Sequence, residues 1–133
     1  MLGEKIAEET SKTTGRRVLT VDGAPIIETS AQGTGKLLGV EYRSMVTYTG
    51  KLRADGVIDG EGIGVLMGAG GEHATFTARG LGKFTQSGGV SWRGMFFLQS
   101  AHSKWSRVNS IPAAFEYELD ANGDGTGTLH EWK

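Results

Sequence analysis

Polar and apolar residues alternate with a period of two along most of the chain. In Phe115-Glu116-Tyr117-Glu118-Leu119-Asp120 the aromatic and aliphatic side chains share one face and three carboxylates share the other. This marks a strand with one buried side. Around Phe76, an apolar face of Ala74, Phe76, Ala78, Gly80, Gly82 and Phe84 opposes His73, Thr75, Thr77, Arg79 and Lys83. Around Trp92 both faces are partly apolar, with Trp92, Gly94, Phe96 and Leu98 against Arg93, Met95, Phe97 and Gln99. That pattern predicts a strand covered on two sides.

Read in this way, the sequence predicts about eight strands, over 15–21, 26–38, 40–53, 57–67, 72–85, 90–101, 112–120 and 126–132. The punctuation between them is rich in residues that accept positive φ: Asp22-Gly23, Ala54-Asp55-Gly56, 68–71, Ser87-Gly88-Gly89 and Asn122-Gly123-Asp124-Gly125. Such short connections join antiparallel neighbours. The stretch 103–109, with Trp105 and Val108 three apart, is the one helical turn expected, placed to plug or flank a barrel end. Residues 1–12 are polar and read as a separate segment, frayed or one to two helical turns, ahead of a single domain over 13–133.

Glycine recurs at every second position inside the strand-like runs, at Gly33 and Gly35, at Gly60, Gly62 and Gly64, and at Gly80 and Gly82. Residues two apart share a face, so each run strips side chains from one side of the sheet and allows sharp coiling or close approach. An eight-strand meander must also hide its edges, and closure does so. The expected fold is therefore all-β, a small antiparallel up-and-down barrel of the calycin-like kind. A barrel of this size is either filled by side chains or holds one small ligand.

Composition narrows the function. With 22 glycines but only two prolines in 133 residues, and no collagen period, the chain reads as globular. A formal charge of −1 supplies no global field for nucleic acid or an anionic membrane, so neither is expected as a partner. The absence of cysteine excludes disulfides, thiolate metal sites and thiol catalysis. No run has the length of a membrane-spanning helix, and residues 1–12 lack the apolar stretch of an export signal, so a cytoplasmic location is expected.

The chemical motifs are weak. Asp120-x-Asn122-x-Asp124-Gly125, followed by Glu131, has the spacing of an EF-hand loop, yet strand-like residues precede it and Gly127 takes an apolar position. A hairpin turn explains the same residues, so no metal is expected, with Asp120, Asn122, Asp124 and Glu131 as the alternative cation ligands. Gly33-Thr34-Gly35-Lys36 is followed by Leu37 where a phosphate loop needs Ser or Thr. Gly60, Gly62 and Gly64 lack the spacing and helix of a dinucleotide loop. Gly89-Val90-Ser91-Trp92-Arg93 ends in arginine where a nucleophile elbow needs glycine. His73, His102 and His130 fall on three separate segments without ligand spacing. No cofactor is expected.

Candidate ligand-binding residues follow from the barrel. Tyr42, Tyr48 and Trp92, with Phe96, Phe97, Phe115 and Tyr117, could line an apolar pocket or form ordinary core. Glu61, Arg79 and Arg93 lie beside glycine or large apolar residues, where an inward charge would meet a polar headgroup or serve acid–base chemistry. The plain alternative is that all three point to solvent.

The run Gly60-x-Gly62-x-Gly64, then Ala74-x-Phe76-x-x-x-Gly80-x-Gly82, Trp92-Arg93-Gly94 and Phe115-Glu116-Tyr117-Glu118, resembles the small allene-oxide-cyclase-like barrels over 33–133. The nearer comparison is with their uncharacterised bacterial members. The resemblance implies a hydrophobic lumen able to take a small molecule and a homo-oligomer formed through the outer face. The catalytic residues of the cyclase have no match in this sequence, so its activity is not carried over. The leading expectation is a barrel that binds a small apolar ligand. The alternatives are an isomerase or cyclase of a lipophilic substrate, using Glu61, Arg79 or Arg93, and an oligomeric interaction module built on outer residues such as Met95 and Phe97.

Overall fold

Short turns set the topology. Leu38 and Gly39 both take positive φ, 48° and 79°, and close a two-residue hairpin between Leu37 and Val40. Gly23, Gly56, Gly71, Gly88 and Gly123 supply the left-handed position in the other turns. The computed structural model describes residues 2–133. In it the strands are β1 (Leu2–Thr20), β2 (Ile26–Leu37), β3 (Val40–Leu52), β4 (Val57–Gly68), β5 (His73–Phe84), β6 (Val90–Gln99), β7 (Pro112–Leu119) and β8 (Asp124–Trp132). Each pairs antiparallel with the next, and β8 pairs with β1 to close the barrel. The expected all-β, eight-strand, up-and-down barrel is the fold of this chain.

Two sequence expectations need correction. Residues 2–12 are neither frayed nor helical; they form the first half of β1, paired with β8 from Leu2 onward and with β2 from Ala7 onward. Their strand character was hidden because lumen positions in this stretch carry Glu9 and Ser11, so polarity no longer reports the inward face. The strand β6 is covered on one side only. Its outward Arg93 and Phe97 are exposed, Phe97 by 55%, because a single-layer barrel packs only its inner face.

The expected helical turn is a 3₁₀ helix, Ser103–Ser110, set into one end of the barrel. The His102 ring nitrogen accepts from the Lys104 amide and caps the helix start. Its Trp105 and Val108 are buried completely among Ile6, Leu37, Leu98 and Ala113. The indole N–H of Trp105 donates to the Leu37 carbonyl at 2.9 Å. On the rim, the buried Glu131 carboxylate accepts from Arg107 of the helix, and the buried Glu72 pairs with Lys104. This plug closes one end of the barrel, next to a space that the strands surround.

Candidate functional site

Between the plug and the opposite mouth, the lumen holds a cavity of about 120 Å³. The alternating glycines explain why there is room for large side chains around it. Trp92 lies across Gly60 and Gly82, where a Cβ atom at Gly82 would stand 2.9 Å from the indole Cε3. Phe115 covers Gly80, whose Cβ would stand 2.7 Å from the ring Cζ. On the other side of the barrel, a Cβ at Gly35 would stand 2.7 Å from the Tyr42 hydroxyl, and one at Gly33 would stand 3.0 Å from the Glu9 carboxyl carbon. Each glycine run is a seat for a bulky or polar lumen side chain contributed by a strand one or two places away in the sheet.

The two sides of the cavity differ in chemistry. One is aromatic: Phe96 stacks on Phe76 with centroids 4.3 Å apart and meets Phe115 edge-on at 5.1 Å. Trp92 and Tyr48 meet edge-on at 5.9 Å toward the mouth. The other side is polar. Glu9 and Ser11 of β1 face Tyr42 and Ser44 of β3 and Tyr117 of β7. Ser11 and Tyr117 share a hydroxyl–hydroxyl hydrogen bond. Ser44 is 2% exposed and its hydroxyl lacks a partner in full hydrogen-bond geometry, although the Glu9 carboxyl lies beside it.

Burial governs the ionisation of this cluster. It pushes the Glu9 carboxyl above the usual glutamate range, against the opposing influence of the nearby Ser44 and Tyr42 hydroxyls. Burial likewise raises Tyr42, and the neighbouring Glu9 charge adds to the effect. Tyr117 is pushed up to about 12, chiefly by burial. Tyr48 is raised by burial, while a Thr29 hydrogen bond and the Arg16 charge at the mouth act in the opposite sense. The three phenols therefore stay protonated at neutral pH, and Glu9 is the lumen group that changes charge.

The sign for stability follows. A carboxyl whose pKa is higher in the folded state holds its proton more tightly there, so stability declines as pH rises from the ordinary glutamate value through the raised one. Glu9→Gln is expected to make the protein more stable than wild type at neutral pH, with the difference vanishing below the ordinary glutamate pKa. Thermal melts of both proteins across that range measure it; equal stability at every pH would mean that Glu9 ionises without penalty.

The candidates drawn from the sequence divide cleanly. Tyr42, Tyr48 and Trp92 line the lumen. Glu61 and Arg79 also border it, yet their charges, like that of Arg93, lie on the other side of the sheet. All three side chains are exposed on the outer face, where Arg79 pairs with Asp59 and Arg93 with Glu116 and Glu118. Of the two readings of these charges, the solvent-facing one matches the structure, and the reason lies in the pleat: Gly60, Gly62, Ala78, Gly80, Trp92 and Gly94 occupy the inward positions, and the charged residues fall between them. The EF-hand-like stretch is a hairpin turn. Asp120 Oδ1 accepts from the amides of Asn122 and Asp124, and Glu131 is engaged by Arg107 at the plug. Among the described residues, no group of three or more His, Asp or Glu side chains is placed to hold a metal ion.

Glu9, Ser11 and Ser44 are the lumen residues that sequence reasoning missed. A signal was present, since Gly33 and Gly35 mark the place where a neighbouring strand needs space. It could not name the neighbour. On the outside, Met45, Ile63, Met67 and Phe97 stand exposed on β3 to β6, and among the described residues no helix is long and apolar enough to cross a membrane.

Fold and site together define a closed eight-strand barrel with a two-sided lumen. Its fold is shared with two bacterial proteins of known structure. One, from Clostridium acetobutylicum and described as a protein with unknown function, superposes with a TM-score of 0.82 at 8% identity over 98% of each chain. The other, a conserved protein of unknown function from Rhodopseudomonas palustris, gives 0.84 at 10% identity, covering 98% of this chain and 97% of its own. No protein-family model matches the sequence, and no curated protein does.

Proposed function

We propose that the barrel binds a small, mostly apolar molecule in its lumen, with the aromatic side of Phe76, Phe96 and Phe115 holding the body and Glu9, Ser44 and Tyr42 meeting a polar end. The observation that carries this reading is an unfilled cavity of about 120 Å³ bordered by aromatic rings and by a buried hydroxyl without a partner. A cavity of roughly 150 Å³ in another protein takes benzene, so a single ring is the right scale. The finer likeness to allene-oxide-cyclase-like barrels is part of this proposal, supported by strand number and an apolar lumen, and no activity is transferred with it. The exposed stripe of Met45, Ile63, Met67 and Phe97 supports contact between copies of the chain.

Filling the cavity tests the proposal. Ala78→Leu places three extra carbons on the lumen side, and benzyl alcohol affinity measured by calorimetry is expected to fall about tenfold or more. Ala31→Leu, on the opposite wall, repeats the test from an independent position. Unchanged affinity in two folded variants would move the binding site out of the lumen.

A second reading is favoured by Glu9 itself. A raised carboxyl facing an apolar chamber is suited to proton transfer, which would make the protein an isomerase of a lipophilic substrate, with Glu9 in the role first assigned to Glu61, Arg79 or Arg93.

A further inference from the structure

We propose that the lumen selects a small organic cation, a primary ammonium group carried on one aromatic ring or a short apolar body, held by Glu9 and Ser44. This rests on the reading of the lumen as a ligand site and names the class of ligand.

The argument begins with partners. Among the described residues the two fully buried carboxylates each have a cation: Glu72 has Lys104 at 3.4 Å and Glu131 has Arg107 at 2.6 Å. Among the described residues Glu9 is seen with no such cation: glycines flank it in register, and Tyr42 and Ser44 share its side of the cavity. A half-buried carboxylate that borders an apolar cavity without a cation is costly to keep charged, and a ligand carrying the missing charge offsets that cost.

The surroundings of Glu9 fit this role from every strand that faces it. Its register partners are Gly35 on β2 and Gly127 on β8, so neither adjacent strand puts a side chain beside the carboxyl. From β3 come Tyr42 and the unpartnered Ser44 hydroxyl, and from β7 comes Tyr117, already bonded to Ser11. Arg16 acts on Tyr48 toward the mouth and is not among the groups acting on Glu9. Across the cavity stand the Phe76, Phe96 and Phe115 rings, an apolar wall for the body of the ligand. An anionic ligand would meet the Glu9 charge in a poorly screened space, and a neutral one would leave that charge uncompensated.

Benzylamine and benzyl alcohol, nearly identical in shape, separate the ideas. Calorimetry at neutral pH is expected to show benzylamine binding about tenfold tighter than benzyl alcohol. That ratio is expected to collapse in Glu9→Gln and to shrink in Ser44→Ala, with both variants checked for folding by their thermal melts. Amine affinity should fall as pH drops through the raised range of Glu9, and amine binding within that range should release a proton to the buffer. A ratio near one in wild type, or a preference that survives in folded Glu9→Gln, would overturn the cation assignment and leave the lumen site standing. Failure of both probes to bind would overturn the lumen site as well.

Discussion

Trp105→Ala is expected to lower the stability of the protein by about 4 kcal/mol, the largest loss available from a single side chain here. The indole is completely buried, packs edge-on to Tyr42 with centroids 6.5 Å apart, and gives its N–H to the Leu37 carbonyl. Truncation removes the largest apolar body at the plugged end and strands a buried acceptor next to the β2–β3 turn. The phenylalanine variant separates the two effects: it keeps a ring but loses the donor, and is expected to lose about 1–3 kcal/mol. Denaturant unfolding followed by far-ultraviolet circular dichroism reads both. A loss below about 1 kcal/mol for Trp105→Ala would show that the 3₁₀ helix is a surface flap and does not seal the barrel.

Gly94→Val is expected to lower stability by about 3 kcal/mol, through crowding instead of a void. Gly94 of β6 is in register with Gly80 of β5, and the Phe115 ring lies over both. A Cβ at Gly94 would stand 2.5 Å from the Gly80 Cα and 2.6 Å from Phe115 Cε2. Backbone atoms cannot rotate aside, so either β5 and β6 separate or Phe115 leaves its seat. Gly15 is the matched control, because nothing lies within 4 Å of its Cβ position. Gly15→Ala should change stability by no more than about 0.5 kcal/mol. Equal tolerance at the two sites in the same unfolding experiment would mean that the alternating glycines serve some purpose other than close approach.

Much of the barrel was legible from alternation. Phe115, Tyr117 and Leu119 turn inward and Glu116 and Glu118 outward as the pattern required, and the glycine-marked turns fall between the strands. Alternation also held the correct answer for Glu61, which sits between inward Gly60 and Gly62, and for Arg79, between Ala78 and Gly80. The plain reading of these charges, that they point to solvent, is the one the pleat supports. The site itself was harder to see. Glu9 and Ser11 are polar residues on a buried face, so hydrophobicity gives the wrong sign for that half of β1. What identifies them is the register of Glu9 against Gly35 and Gly127, and pairing between residues far apart in sequence is a property of the closed sheet. Glycine at every second position reported that something large or polar needed space, while the identity of that group came from the neighbouring strands.

The most direct measurement is a methyl-resolved nuclear magnetic resonance titration of the protein with benzyl alcohol, which locates the ligand without altering the chain. Occupancy of the lumen is expected to shift the methyl signals of Ala31, Val46, Leu66, Ala78 and Leu129, all of which border the cavity. Shifts confined to Met45, Ile63 and Met67 on the outer face, or no shifts at any concentration, would contradict a ligand site inside the barrel.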